Sequence, residues 1–263
     1  KKKIPNKIVT VDLDSSYTIK GKSGTYEVEL IHMTHSIPHT TMVALHTPEG
    51  IVVYGNDFKI DHTPVVGNPP NFSAIKRISK EGVKVAILDS LYCSSETKTP
   101  SENLARNMVK EIFSGMHGSK DAIFVSTFSS HIARLKSIVE FGKKLDREIY
   151  FVGRSMNRYM QAANDINFTD FKNQVKLVTY KNQVASALKK VNSERSKYLV
   201  VCTGHQGEPG SVLERLSRKK LPFEFRKNDN LVFSSKTIPV PINIKNKGEM
   251  DKKFKKFGVR IFD

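Results

Sequence analysis

Two rhythms of apolar residues divide this chain. In the first, Tyr26, Val28 and Leu30 alternate with Glu27 and Glu29, the period of a half-buried strand. The runs 41–46 and 51–54 flank Thr47-Pro48-Glu49-Gly50, a turn-rich connection that predicts a hairpin. Breakers in Val65-Val66-Gly67-Asn68-Pro69-Pro70 predict a loop. From Val83 onward, short apolar runs alternate with amphipathic segments, as in βαβ units with a mostly parallel sheet. The predicted strands are 83–88, 122–125, 148–152, 198–201 and 231–233. Thr99 as cap, Pro100 at the first helical position and Glu102 completing a capping box predict a helix start. Ile132, Leu135, Ile138 and Val139 line one face of the next helix. Lys252-Lys253-Phe254-Lys255-Lys256-Phe257 fits a basic amphipathic helix. The expected fold class is α/β: a β-rich first ninety residues or so, then, from Val83 onward, a mostly parallel sheet flanked by helices.

Composition narrows the partners. The 263 residues suffice for one large domain or two small ones. Lysine and arginine total 43 against 26 acidic residues, a net charge of +17. Such a surplus points to a polyanionic partner; the plainer reading is a lysine-rich, solvated surface. Cys93 and Cys202 stand far apart with no Cys-x-x-Cys pair, which argues for a reducing compartment without disulfides or a cysteine zinc site. No apolar run approaches the ~20 residues that cross a bilayer. Lys1-Lys2-Lys3-Ile4-Pro5 leads into strand-like sequence and not a signal peptide. A soluble, cytoplasmic chain is expected.

Each predicted strand ends in a small polar loop: Asp89-Ser90, 126–131, Gly153-Arg154-Ser155, 203–209 and 234–237. In a parallel sheet these loops gather at the carboxyl edge, where ligands bind. Backbone N–H groups at the following helix starts suit phosphate. The hydroxyls of Ser129, Ser130 and Ser155 and the guanidinium of Arg154 add donors. His131, Gly204 and Gln206 belong to the same loops. Any one serine here is more simply a helix cap. Arg154 can grip a phosphate in bidentate fashion or pair with a neighbouring carboxylate. The Phe128 ring can stack on a base or belong to the core. Together, on a basic chain, the loops point to a nucleic-acid backbone.

Histidines cluster between His32 and His46. Strand geometry puts His32 and His35 on opposite faces, and His35, beside Ser36-Ile37-Pro38, is the better ligand. His32, His39, His46 and His62 read as surface or hydrogen-bonded side chains. Paired with Asp57 after the next two strands, His35 suggests a two-metal hydrolytic site, which needs neutral imidazoles and carboxylates from several strand ends. No His-x-His-x-Asp-His cluster occurs in the chain.

The ordered set of motifs resembles the ribonuclease J family of metallo-β-lactamase/β-CASP ribonucleases. His35-Ser36-Ile37-Pro38 is similar to that family's third metal motif, and the stretch from His46 to Asp57-Phe58-Lys59 to the one ending in its fourth. Asp89-Ser90 resembles the acidic motif closing the lactamase part. Ser126-Thr127-Phe128-Ser129-Ser130, Val152-Gly153-Arg154-Ser155-Met156, Thr203-Gly204-His205-Gln206-Gly207-Glu208-Pro209 and Ile238-Pro239 resemble β-CASP signatures. The resemblance implies a partial lactamase layer over 1–92 and a β-CASP domain over 93–263. It also implies hydrolysis of RNA by two zinc ions and an activated water, as a 5′-to-3′ exonuclease with endonuclease activity in some members.

By the same resemblance His35 is a ligand to one zinc, Asp57 bridges both, and Asp89 supports the metal shell. Ser129, Ser130, His131, Arg154, Ser155, Gly204 and Gln206 would hold the RNA. A homodimer is allowed. This sequence departs from the family pattern at His39, Asn56, His131, His205 and Val240. The family's His-x-His-x-Asp-His motif and its later histidine motifs are missing, so a central fragment, inactive alone, is the leading expectation. The alternatives are a non-catalytic RNA-binding subunit and a 3′-end-processing type of β-CASP nuclease.

Overall fold

A computed structural model describes residues 8–168 and 173–263; Lys1–Pro5 lie outside them. The chain divides into two compact units, Lys1–Ser101 and Glu102–Asp263.

The first unit is a five-stranded sheet in sequence order: β1 (Ser15–Gly21), β2 (Gly24–His32), β3 (Thr41–Thr47), β4 (Gly50–Tyr54) and β5 (Val83–Ile87). The first four strands are an antiparallel meander. Thr47 faces Gly50 across the predicted hairpin. Helix α1 (Phe72–Glu81) crosses over and brings β5 in parallel to β4. Its start is fixed by the Asn71 side chain, which accepts from the Ala74 N–H at 3.0 Å.

Ile78 of α1 packs on Ile31, Ala44, Ile51 and Val53. Tyr26, Val28 and Leu30 point to the other face and stay half-buried, since among the described residues no helix of this unit covers that side. All five residues of β5 are exposed, as expected of a layer with an uncovered edge.

The second unit holds a six-stranded, wholly parallel sheet in the order β11-β10-β6-β9-β7-β8. Its strands are β6 (Ile123–Ser126), β7 (Glu148–Val152), β8 (Lys176–Val178), β9 (Tyr198–Cys202), β10 (Asn230–Phe233) and β11 (Arg260–Phe262). β6, β9 and β10 are buried along their whole length, which explains their continuous apolar runs. On one face lie α2 (Glu102–Ser114), α3 (Ile132–Lys143) and α4 (Arg154–Asp165), around Phe113, Leu135 and Met156. The other face carries α5 (Lys181–Ser193), α6 (Val212–Ser217) and α7 (Pro241–Lys256), around Leu188, Leu213 and Phe254.

Three features differ from the sequence reading. The helix expected to start at Pro100 begins at Glu102. Ser101 instead bonds Thr63, its Oγ donating to the Thr63 carbonyl at 2.9 Å, and the Glu102 carboxylate is taken by α3. β8 and β11, three residues each, are strands the apolar pattern did not mark. Strand 83–88 joins the first sheet and not the second.

Candidate functional site

The strand order creates a crevice. β6 and β9 are neighbours, yet the chain leaves β6 toward α3 on one face and β9 toward α6 on the other. At such a switch point the two outgoing loops diverge and leave a cleft at the carboxyl edge. Here the cleft is about 440 Å³, lined by Phe128, Ser129, Ser130, Ser155, Tyr159, Thr203 and residues of the 205–211 loop. Hydroxyl groups supply most of its polar lining.

Gly153 precedes α4 and leaves Arg154 as its first residue. Arg154 is exposed and has no carboxylate partner among the described residues, which sets aside the ion-pair reading. Gly204 has φ +124, and a Cβ there would lie 2.6 Å from Ser211 Oγ and 2.7 Å from Leu213 Cβ. Only glycine lets the loop approach α6 this closely. Gln206 is buried; its Nε2 donates to the Lys236 carbonyl at 3.1 Å and its Oε1 accepts from the Ile238 N–H at 2.8 Å. Its amide therefore ties the loop after β9 to the loop after β10.

His131 precedes α3, and its Nε2 lies 3.3 Å from Glu102 Oε2. Arg134 completes the cluster, donating Nε and Nη2 to the Glu102 oxygens at 2.7 and 3.0 Å and Nη1 to Ser234 Oγ at 3.1 Å. Burial opposes ionisation of Glu102, but the His131 and Arg134 hydrogen bonds prevail and hold its carboxyl down at about 2.

Sequence reasoning assigned no role to His205, noted only as a departure from the family pattern. It is 1% exposed and sits edge-on to Phe128, with ring centres 3.9 Å apart. Neither ring nitrogen has a hydrogen-bond partner among the described residues. Burial, with Lys247 and His131 nearby, pushes its imidazole down to about 4 against an opposing pull from Asp263. The ring is neutral at pH 7, a buried polar group in the cleft wall. Lys247 is itself buried and bonded to Asp251 at 2.7 Å and Asp263 at 2.9 Å. Nothing in local spacing signals this cluster, because its members come from three distant segments.

In the first unit, an isolated antiparallel bridge joins Thr34 to Lys59, with the Lys59 N–H donating to the Thr34 carbonyl at 2.7 Å. That bridge sets His35 beside the segment carrying Asp57, and both residues are exposed. Asn56 has φ +54, a left-handed conformation that asparagine, like glycine, tolerates. Asp89 is exposed, and its Oδ1 accepts from the Leu91 N–H at 3.2 Å. Among the described residues, no three His, Cys, Asp or Glu side chains converge as a metal site. None of the helices is long and apolar enough to cross a membrane among those residues.

Residues 120–247 match the family model described as ribonuclease J, beta-CASP domain. The chain is 42% identical over 236 residues to ribonuclease J of Methanocaldococcus jannaschii, covering 89% of this chain and 53% of that protein. Ribonuclease J of Pyrococcus abyssi is 38% identical over 234 residues, with 89% and 51% covered. The Thermus thermophilus ribonuclease J is 29% identical over 215 residues, with 81% and 35% covered. The chain thus spans about half the length of the first two relatives. A crystal structure of a protein of unknown function from Enterococcus faecalis shares the fold, at a TM-score of 0.59 and 10% identity, over 97% of this chain and 55% of that one. Over residues 120–247 and along most of its length, the chain is similar to ribonuclease J and its beta-CASP domain.

Proposed function

We propose that this chain is part of a zinc-dependent, cytoplasmic ribonuclease of the ribonuclease J type, a 5′-to-3′ exonuclease with endonuclease activity. The observation that carries this reading is the hydroxyl-lined crevice at the β6/β9 switch point, flanked by an exposed, unpaired Arg154. In this reading Ser129, Ser130 and Ser155 donate to phosphate oxygens at the cleft and Arg154 grips a phosphate at its rim. Gly204 and Gln206 act by shaping the loop, and His131 borders it while held by Glu102. His35 and Asp57 supply part of a zinc sphere, with Asp89 behind them. Two donors cannot complete a four-ligand site, so the remaining ligands come from polypeptide outside these residues, and the chain alone is inactive. Bound zinc would supply Lewis acidity and a water acidified for attack on phosphorus.

A second reading, a non-catalytic RNA-binding subunit, is favoured by one observation: no cluster of three metal donors exists among the described residues. The two are separated in a protein carrying the family's other metal motifs. There Asp57→Ala is expected to abolish hydrolysis of 5′-phosphorylated RNA while RNA binding persists. Arg154→Ala is expected to weaken binding by about tenfold or more, the value of a charge-assisted hydrogen bond. Unchanged turnover in Asp57→Ala sinks the metal assignment, and unchanged affinity in Arg154→Ala sinks the cleft assignment.

A further inference from the structure

The amino edge of the parallel sheet, at the other end of its strands from the cleft, carries a second concentration of charge. Four segments reach it on the face covered by α5, α6 and α7: the last turns of α5 and α7, the turn after α6, and the loop before β10. They bring Lys189, Lys219, Lys220, Lys227, Lys255 and Lys256, all exposed. None is paired with a carboxylate among the described residues, whereas nearby Lys197, Arg218 and Arg260 pair with Glu194, Glu214 and Asp121.

The segments are contiguous. Lys189 and Lys219 line one groove of about 410 Å³, in which Glu224 is the one carboxylate. Lys219 Nζ lies 5.5 Å from the centre of the Phe257 ring, and a Cβ on Gly258 would come within 3.3 Å of Lys227 Cα. At the same edge, before β7, Arg147 is buried and donates to the carbonyls of Ser119, Asp121, Arg195 and Tyr198 in place of a carboxylate, adding fixed positive charge.

Helix dipoles account for a cation or two in a last helical turn. They do not account for Lys227, which precedes a strand, or for the convergence of four segments. Of the groove's apolar residues, Leu221 and Phe223 are buried and Pro222 is half-buried. The face therefore lacks the exposed anchors of a membrane surface or of a protein interface. Point charges over a groove suit a sugar–phosphate backbone.

We propose that this amino-edge face is a second contact for single-stranded RNA, distinct from the carboxyl-edge cleft. The strands hold the two edges about 15 Å apart before loops are counted, so only an RNA longer than a few nucleotides engages both. The choice of RNA as ligand rests on the reading of the cleft given above.

The test uses oligouridylates of about 5 and about 25 nucleotides, with binding measured by fluorescence anisotropy across a salt series. One variant carries Lys→Gln at 189, 219, 220, 227 and 256. A control carries the same change at the exposed Lys20, Lys22, Lys76, Lys80 and Lys84 of the first unit. Each lost contact lowers the log–log salt slope by about 0.7. The amino-edge variant is thus expected to lose roughly 3 to 4 from the slope for the longer RNA and nothing for the shorter, and the control to keep the wild-type slope. An unchanged slope in the amino-edge variant, or an equal fall in the control, overturns the proposal. So does loss of binding to phosphatidylserine vesicles with RNA binding intact, which would make the face a membrane contact. Failure of the wild type to bind the short RNA refutes the cleft reading alone, since the longer RNA's slope still judges this face.

Discussion

Replacing His205 by serine should change how the fold responds to acid. The imidazole lies against Phe128, with the titratable groups of Lys247 of α7, His131 before α3 and Asp263 after β11 around it, and Glu208 in its own loop. Burial, with Lys247 and His131 nearby, pushes it from an ordinary 6.5 down to about 4. The unfolded chain therefore takes up a proton near pH 6.5 while the folded chain refuses it until about pH 4. The unfolded state binds more protons in that window, so stability falls as pH falls through it and levels off below. At about 1.4 kcal/mol per pH unit, the full loss is about 3 kcal/mol.

Urea unfolding of wild type and His205→Ser should be followed between about pH 7.5 and about pH 4, where the linkage acts. The chain has no tryptophan, so helical circular dichroism is the signal. Serine leaves a cavity and lowers stability at every pH. The decisive quantity is the difference in slope: wild type should lose about 3 kcal/mol more than the variant across the window. Titrations common to both proteins cancel. Parallel curves would refute the claim that a neutral, unpartnered imidazole is buried there.

Glu102→Gln should flatten a separate acid limb. A carboxyl held at about 2 against an ordinary 4.5 contributes stability that is present above pH 4.5 and lost as pH falls toward 2, about 3 kcal/mol in all; acid unfolding of the two proteins between those limits checks it. Gly204→Ala should cost about 2–4 kcal/mol, since the added methyl meets Ser211 and Leu213 at a left-handed φ, read as a lowered urea midpoint. Asp229→Ala should cost about 3–5 kcal/mol. It removes the acceptor of the Ala122 and Arg226 N–H groups and of buried Arg195; an undiminished midpoint would contradict the buried pair.

In the second sheet, the strands legible from sequence are the buried ones. β6, β7, β9 and β10 announce themselves as apolar runs between breakers, because a parallel strand under helices has no polar side. β8 and β11 escape because three residues are too few to set a period, and α1 because its covered stripe rests on few residues. Their places are decided by tertiary pairing. Strand order is another matter. That β9 inserts between β6 and β7 is written in no local pattern, and the cleft exists only because of it. Hence Ser129, Ser155 and Gly204 could be named as loop residues in advance, while the reason they meet could not. Glu102 shows the converse. It reads as a capping-box acid, but the structure turns its carboxylate onto Arg134 and His131. Family resemblance flagged the histidine at 205 as unusual, and only packing shows what is unusual about it.

The placement of β6 between β9 and β10 has a bearing on biosynthesis. Ala122, just before β6, meets Asp229, just before β10, across a sequence separation of 107 residues. At about 5–20 residues per second, a ribosome needs about 5–20 seconds to make that stretch. Until β9 has been made the β6 segment has neither flanking strand, and until β10 follows it has only one. A nascent chain in the first of these states displays Ile123-Phe124-Val125 with two open edges, the kind of surface that chaperones shield and that aggregates when they do not.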